Sequence, residues 1–544
     1  MNDTPPALGS RRFRKIAWAA LSADPISAFK GLYWFLTRRR VRGWARLMTA
    51  AASAELSYRA WIEASEEGVF AAFRDRHPVG TTRLFIGLVL ANGADAAEID
   101  GTLQSLRAAL PEAAPIVVAS DRDPLASFAV EEEGAWLVPM FAGDRVSPHL
   151  GDCLERLLAT EDAAVVVYWD EDRLGARGRE SPWIKPDWDA LLFGQLRGLT
   201  GSAAVRLSAF RRASDGSAID AGAVETLLMQ IAAEASGSVA HIPLVLTHRF
   251  GPNVPSADRL IPDPAPANFQ WPKVSILLPT RDRPDLLSAC LGGIERTQYP
   301  GPLELIIIDN GSADRRALEL IEHAERDGAT VLREPGPFNF SRLNNRAASR
   351  ATGDVLCFLN NDVEPLTDDW LSRMVVHALD TSVGAVGALL LYPTGRIQHA
   401  GVAIGLGRAA GHVQIGVNPD DMRFWTWHQV TRRVSAVTAA VMVVRKEAFL
   451  AVGGFDEEAF PVAFNDVDMC LRLDRAGLRN IFVAEARLTH RESESRGDDR
   501  KPEHAERFAA ELRRLQERWQ TEDLSDPYFS PLFSRLTGRC TLAP

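Results

Sequence analysis

Acidic side chains follow two strongly apolar segments in the second half of the chain. The segment "LELIIID" ends at Asp309, and "DVLCFLNND" ends at Asp362. Carboxylate oxygens are the ligands that Mg²⁺ and Mn²⁺ prefer, and a carboxylate can also accept hydrogen bonds from a ribose or a base. The residue types therefore indicate binding of a cation or a nucleotide at the ends of two predicted strands.

A second polar group lies further along the chain. The segment "FNDVDMCLRLDRAG" opens a predicted helix with Asp466 and Asp468, and His490 ends a later strand at "ARLTH". A positioned carboxylate acts as a general base toward a hydroxyl group and typically contributes about 10²–10⁴-fold in rate. By residue type either aspartate suits this role, and either could instead cap the helix and stabilise its positive end.

Alternating strand and helix patterns must position these residues. After residue 272, short Val/Ile/Leu-rich segments alternate with amphipathic segments, from "KVSILLPT" to "VGAVGALLLYP". This alternation predicts an α/β fold with a mainly parallel sheet, in which ligands bind outside the carboxyl ends of the strands. Thr280, Asp309 and Asp362 all fall at such ends.

Composition excludes several classes of protein. The 544 residues are 46% hydrophobic and 24% charged, which is typical of a folded chain of more than one domain. A formal net charge of −10 argues against nucleic acid as a partner. The five cysteines are far apart, which disfavours a zinc site or disulfides and favours the cytoplasm. No apolar run reaches the length of a membrane span.

Residues 1–46 form a basic island. They hold ten Lys/Arg against Asp3 and Asp24, and they include Trp18 and Trp34. Such a segment can lie on an anionic membrane, where each basic residue contributes roughly 1 kcal/mol. The alternative is a basic helical hairpin that packs on the rest of the protein. The first alternative adds peripheral contact with the inner face of the cell membrane to a cytoplasmic localisation.

The Pro-rich stretch 251–272 divides the chain, and Leu-Thr-His-Arg recurs at 246–249 and 488–491. This recurrence predicts a tandem duplication of the α/β domain. The predicted parts are a basic helical region at 1–80, a first domain at 81–250, a linker at 251–272, a second domain at 273–500, and a helix and tail at 501–544.

Six motifs of the second half resemble, in order, family 2 of the inverting nucleotide-sugar glycosyltransferases. They are "VSILLPTRDRPDLL", "LELIIIDNGSAD", "ATGDVLCFLNNDVEP", "AVGGFDEEAF", "FNDVDMCLRL" and "LTHRESESRG". The resemblance implies a GT-A fold, a nucleoside-diphosphate-sugar donor and a divalent cation, Mn²⁺ or Mg²⁺. It also implies inverting transfer to a hydroxyl of a glycan or lipid-linked glycan, during assembly of a surface polysaccharide or O-antigen.

The resemblance also implies roles for particular residues. Asp466 would be the general base, and Asp362 and His490 would bind the cation. The residues expected around the nucleotide sugar are Pro279, Thr280, Asp309, Asn360 and Asn361. The chain departs from the family pattern twice, because the triplet ending at Asp362 has one carboxylate instead of two and because Asn465 stands where relatives commonly have Glu.

The first half resembles the first domain of tandem family 2 proteins but lacks part of the set. Aligning the Leu-Thr-His-Arg segments without gaps puts Val224 opposite Asp466, and aligning "PIVVASD" with "LIIIDNG" puts Ala119 opposite Asp309. The segment "VVVYWDED", which ends at Asp172, is matched with "VLCFLNND". These alignments predict a degenerate domain that positions the acceptor or a partner.

A rival reading comes from another class of protein, a non-catalytic pseudo-glycosyltransferase that binds nucleotide sugar or glycan as a scaffold. The single carboxylate in the triplet favours it. The complete series of Thr280, Asp309, Asp362, Asp466 and His490 argues for an enzyme.

Overall fold

The computed structural model describes residues 5–52, 55–81, 83–91, 93–110, 116–119, 134–196, 198–214, 221–250, 270–421, 426–491 and 502–543. Within them the chain forms a helical amino-terminal module, two α/β units and a closing helix. Most of the linker predicted at 251–272 lies outside these residues, as does the predicted boundary at residue 500. The domain limits therefore stay predictions.

The helical segment expected at the amino terminus is confirmed. Its first helices begin at side-chain caps, because Ser10 accepts the N–H of Phe13 and Asp24 accepts the N–H of Ser27. Within the described residues, no helix combines the length and apolar content needed to cross a bilayer. The helices are α1 (Arg11–Ala23), α2 (Pro25–Leu36), α3 (Arg40–Ala51), α4 (Glu55–Trp61) and α5 (Glu67–Arg76).

The first α/β unit contains an 8-stranded sheet in the order β2-β1-β3-β7-β5-β8-β4, with β6 paired to β5. Its strands are β1 (Phe85–Leu90), β2 (Ile116–Ala119), β3 (Trp136–Phe141), β4 (Arg145–Val146), β5 (Val166–Gly175), β6 (Gly178–Trp183), β7 (Ala203–Arg206) and β8 (Val239–Arg249). Its helices are α6 (Ala96–Ala109), α7 (Leu150–Thr160), α8 (Ala190–Leu196), α9 (Leu207–Ala213) and α10 (Ala221–Glu234).

The second α/β unit contains a 10-stranded sheet in the order β11-β10-β9-β12-β19-β14-β20-β13, with β15 paired to β14 and β18 to β20. Its first six strands are β9 (Val274–Thr280), β10 (Leu303–Asp309), β11 (Thr330–Arg333), β12 (Val355–Leu359), β13 (Val363–Pro365) and β14 (Val383–Leu391). They are followed by β15 (Ile397–His399), the small hairpin of β16 (Val402–Ile404) and β17 (Ala410–His412), β18 (Arg432–Arg433), β19 (Val441–Arg445) and β20 (Arg479–His490). The helices are α11 (Pro284–Glu295), α12 (Arg315–Arg326), α13 (Phe340–Arg350), α14 (Trp370–Ala378), α15 (Lys446–Ala451) and α16 (Asn465–Arg475).

The two sheets have the same strand order once β11 is set aside at the edge. The series β10-β9-β12-β19-β14-β20-β13 repeats β2-β1-β3-β7-β5-β8-β4 in chain order, and each matched pair has the same relative direction. Strand β5 therefore takes the place of β14, and β3 takes the place of β12. The alignment of "VVVYWDED" with "VLCFLNND" is thus wrong, because "VVVYWDED" lies in and just before β5 and only resembles β12 locally.

The α/β class predicted from the sequence is confirmed, and antiparallel strands add to it. Strands β11, β10, β9 and β12 run parallel to one another, as the alternation of strands and helices predicted. Strand β19 inserts antiparallel between β12 and β14. The short strands β15 to β18 lie between β14 and β19 in the chain, so the local pattern could not indicate where in the sheet β19 pairs.

The two units contact each other directly. The side-chain amide of Gln195 donates to the Thr431 carbonyl with an N–O distance of 2.6 Å. The N–H of Arg433 donates to the buried carboxylate of Asp189 at 2.7 Å. The first unit therefore holds part of the segment that joins β17 to β19 of the second unit.

The closing helix, α17 (Pro502–Trp519), packs on the second unit. Leu515 and Trp519 lie four residues apart, on one face of the helix, and both are buried. The ring of Phe508 contacts that of Phe464, with centroids 5.4 Å apart. The helix thus reaches the turn that precedes α16.

Candidate active site

A cavity of about 860 Å³ opens at the carboxyl ends of the central strands of the second unit. It brings together residues from widely separated parts of the chain, including the ends of β9, β12 and β20 and the start of α16. The predicted site residues that line it are Pro279, Thr280, Asn360, Asn361, Asp362, Asp466 and His490. Asp309 is buried beside the cavity, and its neighbour Asn310 reaches the wall.

Asp362 and His490 form the polar end of this cavity. Val363 is paired with His490 across β13 and β20, which places Asp362 beside the imidazole. The distance from His490 Nε2 to Asp362 Oδ1 is 3.3 Å. His490 Nδ1 lies 2.7 Å from Gln398 Oε1, and this contact fixes the orientation of the imidazole ring.

These two donor atoms fit a divalent cation. Adjacent ligands of an octahedral ion with bonds of about 2.1 Å lie about 3 Å apart, close to the separation of the two atoms. A carboxylate oxygen and an imidazole nitrogen suit Mn²⁺, and Mg²⁺ accepts the carboxylate. Among the described residues there is no group of three or more such side chains around one point. A bound ion would therefore take its remaining ligands from a diphosphate and water.

Asp466 also lines the cavity, from the first turn of α16. Phe464, two residues before Asp466, has a φ of 60°, which is a left-handed conformation that is unusual for a bulky side chain. This turn directs the start of the helix toward the cavity. Asp466 is partly exposed there, and its Oδ2 accepts the N–H of Ala439 at 3.1 Å.

The geometry separates Asp466 from Asp468. Asp468 is fully buried, and its carboxylate accepts from Arg472 at 2.8 Å and from Arg518 and Trp519 at 2.9 Å each. It therefore links α16 to α17 and does not line the cavity. The two candidates that the sequence left open thus have different surroundings, one facing the cavity and one facing the core.

Replacing Asp468 with asparagine is expected to lower the free energy of unfolding by about 2–3 kcal/mol, because two guanidinium groups lose their shared carboxylate. The lower end of the usual range applies because both arginines are partly exposed to water. Thermal unfolding measures the change. Asp474→Asn on the same helix is the matched control, since burial raises the pKa of Asp474 and its neutralisation should cost little. Equal midpoints for the two variants would contradict the assignment.

Hydrogen bonds between loops build the part of the cavity near the ends of β9, β10 and β12. The Asn361 side chain donates to Thr280 Oγ1 at 3.0 Å. Asp309 accepts the N–H of Ser312 at 2.8 Å and pairs with Arg333 at 2.9 Å. These contacts fix the ends of β9, β10 and β12 relative to one another.

Several cationic side chains at the cavity were missed by the sequence reasoning. Arg281 and Arg283 come from the loop after β9, and His504 and Arg507 come from α17. Guanidinium groups bind phosphate oxygens well, so this set suits a diphosphate. The spacing of His504 and Arg507 places them on one face of α17, which was the available signal. The helix had been predicted only as a closing element.

His399 and His412 are neighbours, with their Nδ1 atoms 3.1 Å apart. His412 lines the cavity, whereas His399 is fully buried behind it. Burial, reinforced by His412 and Arg432, holds the pKa of His399 well below its usual value. The His399 ring is therefore neutral near pH 7 and adds no charge to the site.

The first unit has different residues at the matching positions. Arg145 is paired with His248 as Val363 is with His490, so Asp144 takes the position of Asp362. Asp144 lies 3.2 Å from the guanidinium of Arg249, and its Oδ1 accepts the N–H of Phe250. An arginine thus neutralises the carboxylate that stands where Asp362 stands in the second unit.

A carboxylate also remains near the position of Asp466, which the gapless alignment of Val224 did not predict. Glu225 in the first full turn of α10 accepts the N–H of Gly198 and Thr200, each at 2.7 Å, and the Thr200 hydroxyl at 2.7 Å. Glu225 directly follows Val224 in the chain, so which of the two corresponds to Asp466 stays a prediction.

Asp172 of the first unit is held in ion pairs. Asp172 pairs with His248 at 2.7 Å and with Arg179 at 2.6 Å, and it accepts from the Tyr58 hydroxyl at 2.6 Å. Tyr58 belongs to the amino-terminal module. Asp172 therefore joins that module to the first sheet.

Asp144 is expected to make stability depend on pH. Burial, opposed by Arg249, raises the pKa of Asp144 from 3.8 to about 6 in the folded protein. Its contribution to stability is therefore present below about pH 4 and lost as the pH rises through 6, a change of roughly 2–3 kcal/mol. The stability difference between wild type and Asp144→Asn should fall by this amount from about pH 4 to pH 7.

Thermal midpoints of both proteins across this pH range measure that difference. Asp162→Asn serves as the control, because Arg83 lowers the pKa of the exposed Asp162. Its contribution is lost only as the pH falls through that lowered value, so this variant should show no such fall between about pH 4 and pH 7. A constant difference for Asp144→Asn would contradict the prediction.

A mixed α/β sheet of this order, with a carboxylate and an imidazole at the ends of β12 and β20, defines a GT-A fold. Residues 275–423 match the family model described as Glycosyl transferase family 2. The similarity to this family thus covers the strands and loops from β9 to the segment after β17.

Similar proteins extend this likeness beyond the matched segment. An uncharacterized protein y4gI of Sinorhizobium fredii (strain NBRC 101917 / NGR234) is 36% identical over 444 residues, which are 73% of this chain and 48% of that protein. The O-antigen biosynthesis protein RfbC of Myxococcus xanthus is 34% identical over 402 residues, which are 66% of this chain and 31% of RfbC. The chain thus spans about half or less of these relatives.

A shorter relative matches over most of its own length. The N-acetylglucosaminyl-diphospho-decaprenol L-rhamnosyltransferase of Mycobacterium tuberculosis (strain CDC 1551 / Oshkosh) is 26% identical over 230 residues, which are 36% of this chain and 69% of that protein.

Proposed function

We propose that this chain is an inverting, metal-dependent glycosyltransferase that moves a sugar from a nucleoside-diphosphate sugar to an acceptor hydroxyl. One observation carries the proposal: the Asp362–His490 pair and Asp466 line the same cavity, and Asp362 lies in the segment that matches the family 2 model. A cation position and a general base on two parts of one cavity are what such a transfer needs.

The donor would bind with its diphosphate at Asp362 and His490. A divalent cation bound there supplies Lewis-acid charge that stabilises the departing nucleoside diphosphate. Gln398 orients His490 by accepting from Nδ1–H, and Arg281 and Arg283 add positive charge near the phosphate oxygens. Asp309, Pro279, Thr280, Asn360 and Asn361 would surround the nucleoside and the sugar.

Asp466 would take the proton from the acceptor hydroxyl. As it loses this proton, the acceptor oxygen bonds to the anomeric carbon on the face opposite the bond to phosphate. That bond breaks and releases the nucleoside diphosphate, so the configuration of the carbon is inverted. The Asp466 carboxylate accepts the N–H of Ala439 through Oδ2 and that of Val467 through Oδ1, so its direction is fixed before the acceptor arrives. Asp468 would serve only to hold α16 in place.

The acceptor would be a glycan or a lipid-linked glycan of a surface polysaccharide or O-antigen. Two relatives favour such an acceptor, because one is named as an O-antigen biosynthesis protein and the other as a rhamnosyltransferase that acts on a lipid diphosphate-linked sugar. The residue types in the cavity do not select a particular sugar or nucleotide.

The first α/β unit would be a degenerate copy of the second. The shared strand order supports a duplication, and the Asp144–Arg249 pair supports loss of a cation position. Glu225 is fully engaged by backbone N–H groups, which disfavours a role as a base. The unit would instead support the wall of the catalytic cavity through Gln195 and Asp189.

The proposal is tested by release of nucleoside diphosphate. The full chain is incubated with Mn²⁺ and a panel of UDP-, GDP- and dTDP-sugars, and ligand binding is followed in parallel by the rise in thermal midpoint. Wild type should release the nucleoside diphosphate of one donor, and Asp466→Asn should bind that donor without turnover. Donor binding by wild type without turnover, even with candidate lipid-linked acceptors, would favour the scaffold instead.

A further inference from the structure

Helix α2 exposes a continuous apolar stripe. Its four large apolar side chains recur at helical spacing on one face and are among the most exposed hydrophobic residues of the protein. They are Ile26 (82% exposed), Phe29 (65%), Tyr33 (64%) and Leu36 (63%). The opposite face of α2 packs into the module through Ala28 and Phe35. The stripe is therefore outside the core of the module, and within the described residues nothing buries it.

The helices on either side of α2 also expose apolar side chains. Trp18 of α1 is 66% exposed and Val41 of α3 is 53% exposed. Exposed apolar groups that are concentrated in one small module mark an interaction surface, whereas single exposed residues need no explanation.

Basic side chains surround the end of the stripe. Lys30 lies on α2 itself, and Arg38, Arg39, Arg40 and Arg42 follow directly after it, all exposed. The acidic residue within described residues 5–46 is Asp24, which caps the other end of α2 by accepting the N–H of Ser27 at 3.0 Å. An apolar face with a cationic border matches a bilayer with anionic headgroups.

This charge pattern also selects among occupants. Two copies of the chain that met through this face would bring their arginine clusters together, and like charges would oppose the contact. We propose that the α2 stripe and its basic border form a docking surface for an anionic lipid bilayer. The apolar side chains enter the acyl region, and the arginines contact lipid phosphates.

The module is tied to the rim of the cavity by the tail of the chain. Leu536 packs on the module core, and Arg539 lies near Asp24. Arg539 also donates to the carbonyls of Ile415 and Gly416, at 2.9 and 3.2 Å, shortly after His412 of the cavity wall. If the proposed function is right, docking keeps the site near a lipid-borne acceptor.

Vesicle cosedimentation of the full chain tests the surface. Wild type should pellet with vesicles of phosphatidylcholine and phosphatidylglycerol, should not pellet with phosphatidylcholine alone, and should be released as the salt concentration rises. Phe29→Glu/Leu36→Glu and Arg38→Glu/Arg39→Glu/Arg42→Glu should each weaken binding by about tenfold or more. Leu450→Glu, at a residue 54% exposed on α15, is the matched control and should bind as wild type does.

Thermal midpoints equal to that of wild type would show that the variants fold, since the replaced side chains are exposed. Absence of pelleting by wild type, or pelleting that the two multiple variants leave unchanged, would overturn the proposal. A dimer in solution that Phe29→Glu/Leu36→Glu dissociates, without vesicle binding, would assign the face to a second copy instead. Asp466→Asn should still bind vesicles, so failure of the proposed catalysis is distinguishable from failure of docking.

Discussion

Replacing Asp466 with asparagine is expected to lower kcat for sugar transfer by about 10²–10⁴-fold, because the acceptor hydroxyl loses its general base. Asparagine keeps an oxygen that can accept the N–H of Ala439, so the start of α16 should stay in place. KM for the donor should change little, since the diphosphate end of the cavity is untouched. Initial rates of nucleoside diphosphate release over a range of donor concentrations separate the two constants.

Asp468→Asn is the control for this prediction and should show the reverse pattern. It removes a carboxylate two residues away on the same helix, but one that is buried against Arg472, Arg518 and Trp519. The variant should unfold at a lower temperature while keeping most of its kcat per folded molecule. If Asp468→Asn loses turnover and Asp466→Asn keeps it, the assignment of the base is wrong.

Replacing Asp362 with asparagine is expected to reduce transfer by roughly 100-fold or more and to raise the Mn²⁺ concentration needed for half-maximal rate. The reason is the small number of protein ligands. Asp362 Oδ1 and His490 Nε2 lie 3.3 Å apart, and loss of the charged partner leaves a single imidazole to hold a divalent ion. Electron paramagnetic resonance of Mn²⁺ with nucleoside diphosphate present measures binding independently of turnover.

Two variants bracket this effect. Gln398→Ala removes the acceptor that orients His490 and should weaken metal binding by about 10–100-fold, less than loss of the carboxylate. Asp282→Asn changes another carboxylate of the same cavity, one whose Oδ1 accepts the N–H groups of Ala313 and Asp314. It should leave the Mn²⁺ requirement unchanged. A similar shift for all three variants would indicate a general loss of cavity structure rather than loss of a cation ligand.

The sequence alone predicted the α/β class and the residues around the second-half cavity, because these depend on local order. A parallel strand that ends in a polar residue places that residue at one edge of the sheet, whatever the rest of the chain does. Thr280 and Asp362 were therefore predicted from strand patterns, whereas Pro279, Asn360 and Asn361 were predicted from the resemblance to the family. The amphipathic spacing of α17 was likewise readable from its residues.

The tertiary structure decided matters that depend on side chains distant in sequence. Residue type could not separate Asp466 from Asp468, because the difference lies in whether each side chain faces the cavity or Trp519. Strand order, which puts Asp144 rather than Asp172 in the place of Asp362, depends on long-range pairing that local resemblance does not encode. In the basic island, sequence determined the charge, while packing decided which face of α2 stays in water. When one face of α2 packs against α1 and α3, the other face stays outside the core. The sequence of α2 alone does not determine which face packs, because that depends on the neighbouring helices.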